Sequence, residues 1–196
     1  SEIFGKVNDK LQSESSSFIP QSPYAAAKLY GYWMTKMYRD GYGLFASNGI
    51  LFNHESPLRG LEFVTRKITN SVARIKLGLQ KELKLGYLDS SRDWGFAPEY
   101  VEGMWKILQQ KNPDDYVLST GESHTVKEFV IEAFSYLDLK WQKYVKSDKK
   151  LYRILEVELL KGDSGKAKKY LKWEARTRFK DLIKIMVDKD LERWQD

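Results

Sequence analysis

The sequence predicts an α/β protein built around a parallel sheet. Two observations carry this. Short apolar stretches alternate with longer amphipathic ones through the first two-thirds of the chain, the pattern of strands joined by crossover helices. The stretch 44–52, LFASNGILF, is mostly apolar with little polar alternation, as in a strand covered on both faces. The composition, 42% hydrophobic and 31% charged, supplies enough apolar side chain for a core.

The elements follow in order. SEIFG at the start reads as the end of a strand. Residues 6–23 are polar and carry Ser15, Ser16, Ser17, Pro20 and Pro23, so they read as a loop. Ser22 as N-cap and Pro23 at the first helical position open a helix to about Arg39, with Gly41 and Gly43 ending it. After the 44–52 strand, NHESPLRG reads as a loop by its Asn, Ser, Pro and Gly. A helix is expected over 62–77, a strand over 83–88, and a second helix from Pro98 that ends before Asn112-Pro113. Tyr116 to Ser119 reads as a strand. In 125–137 the residues Val126, Phe129, Val130, Ala133 and Leu137 share one helical face. The stretches 162–173 and 177–194 are the last helices. No internal repeat is found.

Several function classes are set aside. No run reaches the roughly 20 apolar residues of a membrane span. No secretory leader opens the sequence. Cysteine is absent, which removes disulfides and thiolate metal sites and fits a reducing, cytoplasmic setting. The two histidines, His54 and His124, do not form an HExxH pattern, so no metal is expected. The net charge of +6 is uneven: residues 140–196 hold 17 Lys+Arg and 10 Asp+Glu, a balance of +7, against −1 for residues 1–139. The lysines of that tail interleave with acids at helical spacing, as on a solvated face, and no nucleic-acid motif accompanies them.

The chemistry starts from Tyr24 and Lys28 in SPYAAAKLY. Four apart on a helix, they share one face. A phenol ionises near pH 10, too high for a base at neutrality, and a neighbouring ammonium stabilises the phenolate. Such a pair can move a hydroxyl proton during hydride transfer. YxxxK is a weak signal by itself, since an exposed pair at this spacing arises often by chance.

The larger blocks are more specific. SPYAAAKLYGYW, NGILFNHESPLRG, FVTRKIT, LGYLDSSRDWGFAPEYVEGMW and DSGKAKKYLKW, in this order, resemble the GDP-mannose 4,6-dehydratases, nucleotide-sugar enzymes of the extended short-chain dehydrogenase type. The resemblance runs along essentially the whole chain. It implies the carboxy-terminal part of a Rossmann-like domain plus a smaller α/β substrate lobe. Residues 1–60 would complete the dinucleotide-binding domain, and 61–196 would form mainly the substrate lobe, with about 90–120 returning to the first domain. Family members carry a GxxGxxG turn that cradles the cofactor pyrophosphate. This sequence has none, so it is expected to lack the half that holds it and to be inactive by itself.

The resemblance also implies roles. Glu2 would be the base that takes the C5 proton. The hydroxyl residue of that motif would fall before Ser1, so Ser1 is not given its role. Tyr24 and Lys28 would be catalytic and would also bind NADP, together with His54 and Arg59. Asn53, Thr65, Lys67, Arg92, Arg153 and Glu156 would bind GDP-mannose, the arginines clamping its pyrophosphate and Glu156 accepting from ribose hydroxyls. Trp94, next to Arg92, is a further candidate for substrate contact. The chain departs from the family at Gln21, where Arg is usual, and at Ile154, where Pro is usual. A homodimer or homotetramer is implied, with no membrane or nucleic-acid partner. Two alternatives stay open: another epimerase or reductase of the superfamily, which Glu2 argues against, and a non-catalytic binding module.

Overall fold

The computed structural model describes residues 1–6, 11–152, 155 and 157–195. Helix α1 (Pro23–Tyr42) opens on Ser22, whose hydroxyl accepts from the Ala25 N–H at 3.1 Å, and closes on Gly43 at φ 65°. Gly43 can adopt that left-handed conformation without a Cβ penalty. Gly41 lies inside the helix rather than ending it. The expected first strand is a turn instead, with the Phe4 N–H donating to Ser1 O at 3.0 Å.

Strands β1 (Gly49–Leu51) and β2 (Asn53–Glu55) follow. The second falls where a loop was expected. Its Asn and His are poor strand formers, yet the pairing partner supplied by the fold overrides that preference. Helix α2 (Val64–Lys76), strand β3 (Leu83–Leu85), the short strands β4 (Ser91–Arg92) and β5 (Trp94–Phe96), and helix α3 (Ala97–Leu108) come next. They are followed by β6 (Tyr116–Leu118), β7 (His124–Thr125), α4 (Val126–Tyr136), β8 (Val145–Ser147), α5 (Gly165–Leu171) and α6 (Phe179–Gln195). Helix α4 starts on a capping box: Thr125 accepts from the Glu128 N–H, and Glu128 accepts from the Thr125 N–H.

Three of the four strand pairs are parallel: β1 with β6, β2 with β5, and β3 with β8; β4 with β7 is antiparallel. Strands β4, β5, β7 and β8 span two or three residues each and fall outside every stretch read as a strand.

The β1–β6 pair is covered on both faces. Ile50, Phe52 and Val117 point to one side, where they meet Phe4 and Leu160 and where Leu29 and Tyr32 of α1 pack. Tyr116 and Leu118 point to the other, against Tyr100 and Ile107 of α3, Leu171 of α5 and Trp173. This is the period-two division of a strand between two layers. A third core lies away from this pair, built from Ile68 and Val72 of α2, Phe129 and Phe134 of α4, and Leu182 and Met186 of α6. Trp94 belongs to that core: it is 3% exposed, edge-on to Phe129 and stacked along Phe179. It therefore has no open face for a substrate.

Among the described residues, no helix is long and apolar enough to cross a membrane, and no cluster of His, Asp or Glu could hold a metal ion.

Candidate functional site

Helix α1 presents Tyr24 and Lys28 on an exposed face. The Lys28 ammonium stands 5.6 Å from the centre of the Tyr24 ring. Neither the Tyr24 hydroxyl nor the Lys28 ammonium is engaged in a hydrogen bond or ion pair among the described residues. Helix α1 itself is pinned to the sheet by Asp115, at the start of β6. The Asp115 carboxylate accepts from Arg39 at 2.7 and 3.0 Å, from the Asn48 side chain at 2.9 Å and its backbone N–H at 3.0 Å, and from the Tyr32 hydroxyl at 3.2 Å.

The amino-terminal turn lies against the end of β1. The buried Ser1 amine donates to Leu51 O at 2.7 Å, and it feels both the Glu2 carboxylate and the Lys28 ammonium. Glu2, next in the chain, is thereby held beside the end of β1. Glu2 also stands 3.6 Å from the Arg92 Nε. Arg92, on β4, is 7% exposed and not a surface residue. One guanidinium nitrogen donates to Val157 O at 2.7 Å and Ser91 O at 2.9 Å. Arg153 and Glu156 lie outside the described residues, so the expected convergence of Arg92 and Arg153 cannot be placed.

Strand β2 carries Asn53 and His54 from the sheet toward this region. The Asn53 Oδ1 is buried and accepts from no donor among the described residues. A buried acceptor left in this way is costly, so a ligand hydroxyl or amine here would be favoured. His54 stacks on Tyr100 with ring centres 5.1 Å apart and 21° between planes. Its Nδ1 lies 2.9 Å from Phe52 O. A carbonyl only accepts, so Nδ1 carries the proton and Nε2 is left as the acceptor. Burial lowers the His54 pKa and the Arg59 cation lowers it further, against the opposing pull of the Phe52 carbonyl. The ring is therefore neutral at pH 7.

The segment after β2 turns back through Ser56 and Pro57 to Arg59. The Arg59 guanidinium is 3.2 Å from the Glu55 carboxylate and lies flat on Phe63, 3.6 Å from the ring centre. Thr65 is 1% exposed and spends its hydroxyl on Glu55 at 2.6 Å. In this structure Thr65 therefore acts as an internal brace on Glu55. Burial pushes the Glu55 carboxyl up, opposed by Thr65 and Arg59. Lys67 sits on the half-exposed side of α2, with no side-chain partner among the described residues.

Four buried charged residues escape sequence reading. Asp93, fully buried, accepts from the Thr120 hydroxyl and N–H and from the N–H groups of Gly121 and Gly162. Glu99 accepts from the N–H groups of Arg176 and Thr177. Arg66 and Asp190 form a buried pair between α2 and α6. For Arg66 a signal existed. It stands three and seven positions before Thr69 and Ala73, on the inward face of α2, where a solvated arginine does not fit. For Asp93, Glu99 and Asp190, nothing local separates them from surface acids.

A sequence profile described as GDP-mannose 4,6 dehydratase matches residues 1–186. The chain belongs to the GDP-mannose 4,6-dehydratase family. Within this family, GDP-mannose 4,6 dehydratase 1 of Arabidopsis thaliana is 56% identical over 192 residues, covering 98% of this chain and 53% of that protein. The human GDP-mannose 4,6 dehydratase is 47% identical, covering 98% of this chain and 56% of its own. The chain thus spans about half the length of the curated relatives it matches. Among solved structures, RMD from Pseudomonas aeruginosa complexed with NADPH superposes with a TM-score of 0.88 at 20% identity, over 98% of this chain and 64% of that one. The dTDP-glucose 4,6-dehydratase of Bacillus anthracis in complex with NAD gives 0.85 at 18%, over 99% and 60%. At these identities the likeness is one of fold: the short parallel pairs belong to a Rossmann-type fold.

Proposed function

We propose that this chain contributes the proton-handling helix and the nucleotide-sugar lobe to an enzyme that converts GDP-mannose into GDP-4-keto-6-deoxymannose, with NADP as its cofactor. Family membership over residues 1–186 carries this reading. The site adds to it. Glu2, Asn53 and His54 lie beside the β1 end in the chain and its amino-terminal turn, and we read them as one site with Tyr24 and Lys28; Tyr24, Lys28 and the Asn53 oxygen are unspent among the described residues. These residues fit a dinucleotide and a sugar: Lys28 offers donors to ribose hydroxyls, and neutral His54 offers Nε2 as an acceptor.

NADP, which Lys28, His54 and Arg59 would help to hold, would supply the hydride acceptor for C4 and the hydride donor for C6. Tyr24, as phenolate beside Lys28, takes the C4 hydroxyl proton. The resulting ketone acidifies C5; Glu2 takes that proton, the C6 hydroxide leaves with a proton from solvent as water, and protonated Glu2 gives a proton back to C5 as C6 is reduced, while the Tyr24 phenol releases its own to solvent. There is no net redox change, so the reaction is a lyase reaction. Each proton transfer of this kind contributes roughly 100- to 10,000-fold. Arg92 meets the substrate pyrophosphate. We further assign 1–60 and about 90–120 to the dinucleotide-binding domain and the rest mainly to the substrate lobe; the core of α2, α4 and α6 supports a separate lobe, while Leu160, Leu171 and Trp173 pack on the β1–β6 pair. The exposed Tyr30, Trp33 and Tyr42 on α1 favour a homo-oligomer in the complete protein.

The test uses this chain completed with the dinucleotide-binding half of a relative. Glu2→Gln should still form a 4-keto sugar, trapped by borohydride, without solvent deuterium entering C5. Tyr24→Phe should form none. Loss of the 4-keto sugar in both variants would refute the division of labour.

A further inference from the structure

The segment that follows His54 is held from below by one buried cation. Arg66, 7% exposed, directs its Nε to both oxygens of Asp190 at 3.0 Å, and its Nη2 to Oδ1 at 2.6 Å. Its remaining nitrogen, Nη1, donates to Pro57 O at 2.8 Å and Arg59 O at 2.9 Å. Asp190 is fully buried on α6 and also accepts from the Thr69 hydroxyl at 2.7 Å and from Arg193 at 3.3 Å. The planar guanidinium thus has two jobs at once. One edge is locked bidentate on a carboxylate, which fixes the plane, and the other points two donors at a loop backbone.

A loop normally leaves its carbonyls to water. Here the two carbonyls flanking Leu58 are taken inward, so residues 57–59 cannot turn over. The upper side of the same loop is free for a ligand, with Leu58 87% exposed. We propose that Arg66 and Asp190 are positioning residues: α6 braces the 57–59 loop through them, holding Arg59 and the loop backbone in place for a dinucleotide phosphate. This rests on the reading of His54 and Arg59 as cofactor-binding residues. It extends the cofactor site to a helix more than 120 positions away in sequence. Neither residue touches the cofactor in this arrangement.

The test separates the brace from that reading. Trypsin cuts after Arg59 only when the loop opens locally, a readout that needs no cofactor. Two variants of the 196-residue protein are compared with the parent. Arg66→Lys keeps a charge opposite Asp190 but cannot hold the carboxylate and both carbonyls. Asp190→Asn keeps the shape but loosens the guanidinium. Both should raise the rate of cleavage after Arg59 on the order of tenfold, the loss of one to two hydrogen bonds to a charged group, while cleavage after Lys149 and Lys150 is unchanged. Unchanged cleavage after Arg59, or equal acceleration at all three sites, would overturn the brace. In the chain completed with a dinucleotide-binding half, the same variants should raise the Kd for NADP and spare that for GDP. Loop-selective cleavage with an unchanged NADP Kd would overturn the cofactor reading of the loop and leave the brace standing.

Discussion

Asp115→Ala should cost about 3 kcal/mol of folding stability, and the structure explains why a single carboxylate at a strand start matters so much. Its two oxygens receive five hydrogen bonds, from Arg39 twice, Asn48 twice and Tyr32. Alanine removes every acceptor at once and leaves the Arg39 guanidinium, only 11% exposed, without its partner. Breaking a buried pair on one side costs roughly 3 to 5 kcal/mol. The lower end applies because Arg39 keeps Ala46 O and Asp40 as weaker partners. The pH dependence has a definite sign. Burial pushes the Asp115 carboxyl up, but the bonds from Arg39 and Asn48 outweigh it, and the net shift is downward. A depressed carboxyl contributes its full stability above the unfolded value of about 3.9 and loses it as pH falls through the lower folded value. Urea unfolding followed by tryptophan fluorescence should therefore show a gap of about 3 kcal/mol between parent and variant at pH 7, narrowing below pH about 4. A double-mutant cycle with Arg39→Met should recover most of the difference as coupling. A gap under about 1 kcal/mol, or one that does not shrink in acid, would show that Asp115 behaves as a surface carboxylate and that α1 is anchored by apolar packing instead.

Three further outcomes are expected. Gly95→Ala should destabilise the fold by about 1 to 3 kcal/mol, because a Cβ there would stand 2.6 Å from the buried Tyr100 hydroxyl; nuclear magnetic resonance of the His54 ring stacked on Tyr100 should shift with it, and an unmoved resonance would show that the stack does not orient His54. Arg92→Ala, in the chain completed with a dinucleotide-binding half, should weaken GDP and GDP-mannose alike by roughly 1.5 to 3 kcal/mol, about 10- to 150-fold, and spare NADP; equal losses for all three ligands in calorimetry would remove it from the pyrophosphate site. The 196-residue chain, which has no GxxGxxG turn, should show no micromolar binding of NADP in the same instrument, and a measured micromolar Kd would mean that Lys28, His54 and Arg59 suffice.

What could be read in the sequence follows from how far each signal reaches. Ser22-Pro23 and Thr125 with Glu128 are helix starts written in adjacent residues, and both helices begin there. The apolar faces of α2 and α4 repeat over three turns, so they stand out above noise. Strand β2 does not, because Asn53, His54 and Glu55 are in a strand only by virtue of Trp94, Gly95 and Phe96, some 40 positions on. The site divides in the same way. Tyr24 and Lys28 are found by their spacing on one helix, and His54 only by the specificity of its block. At Thr65 a helix start offers N–H groups to an anion, and the anion that its hydroxyl meets in this structure is the protein's own Glu55. Trp94 shows the converse: two positions after Arg92 along the chain, it is taken up by the core of α2, α4 and α6, which no local spacing records.

The buried acids share one arrangement that bears on how the site keeps its shape. Asp93 takes backbone N–H groups from the loops after β6 and before α5, Glu99 takes those that precede α6, and Asp115 joins α1 to the sheet. Asp190 does the same through Arg66 for the segment after β2. Glu99 and Asp190 sit on helices and Asp93 and Asp115 immediately before strands, and their principal donors belong to a loop or to a different element. Apolar packing does not select one arrangement of a loop, because it is non-directional. A carboxylate with three to five donors does, since rotating the loop by one peptide unit leaves several buried groups unpaired at roughly 1 to 3 kcal/mol each. The two layers on the β1–β6 pair and the α2–α4–α6 core make the fold stable; these four acids are what make the segments around Tyr24, His54 and Arg92 adopt one geometry rather than several. They also explain why such acids are invisible beforehand. Each is recognised by donors 27 to 124 positions away, and no local spacing records that distance.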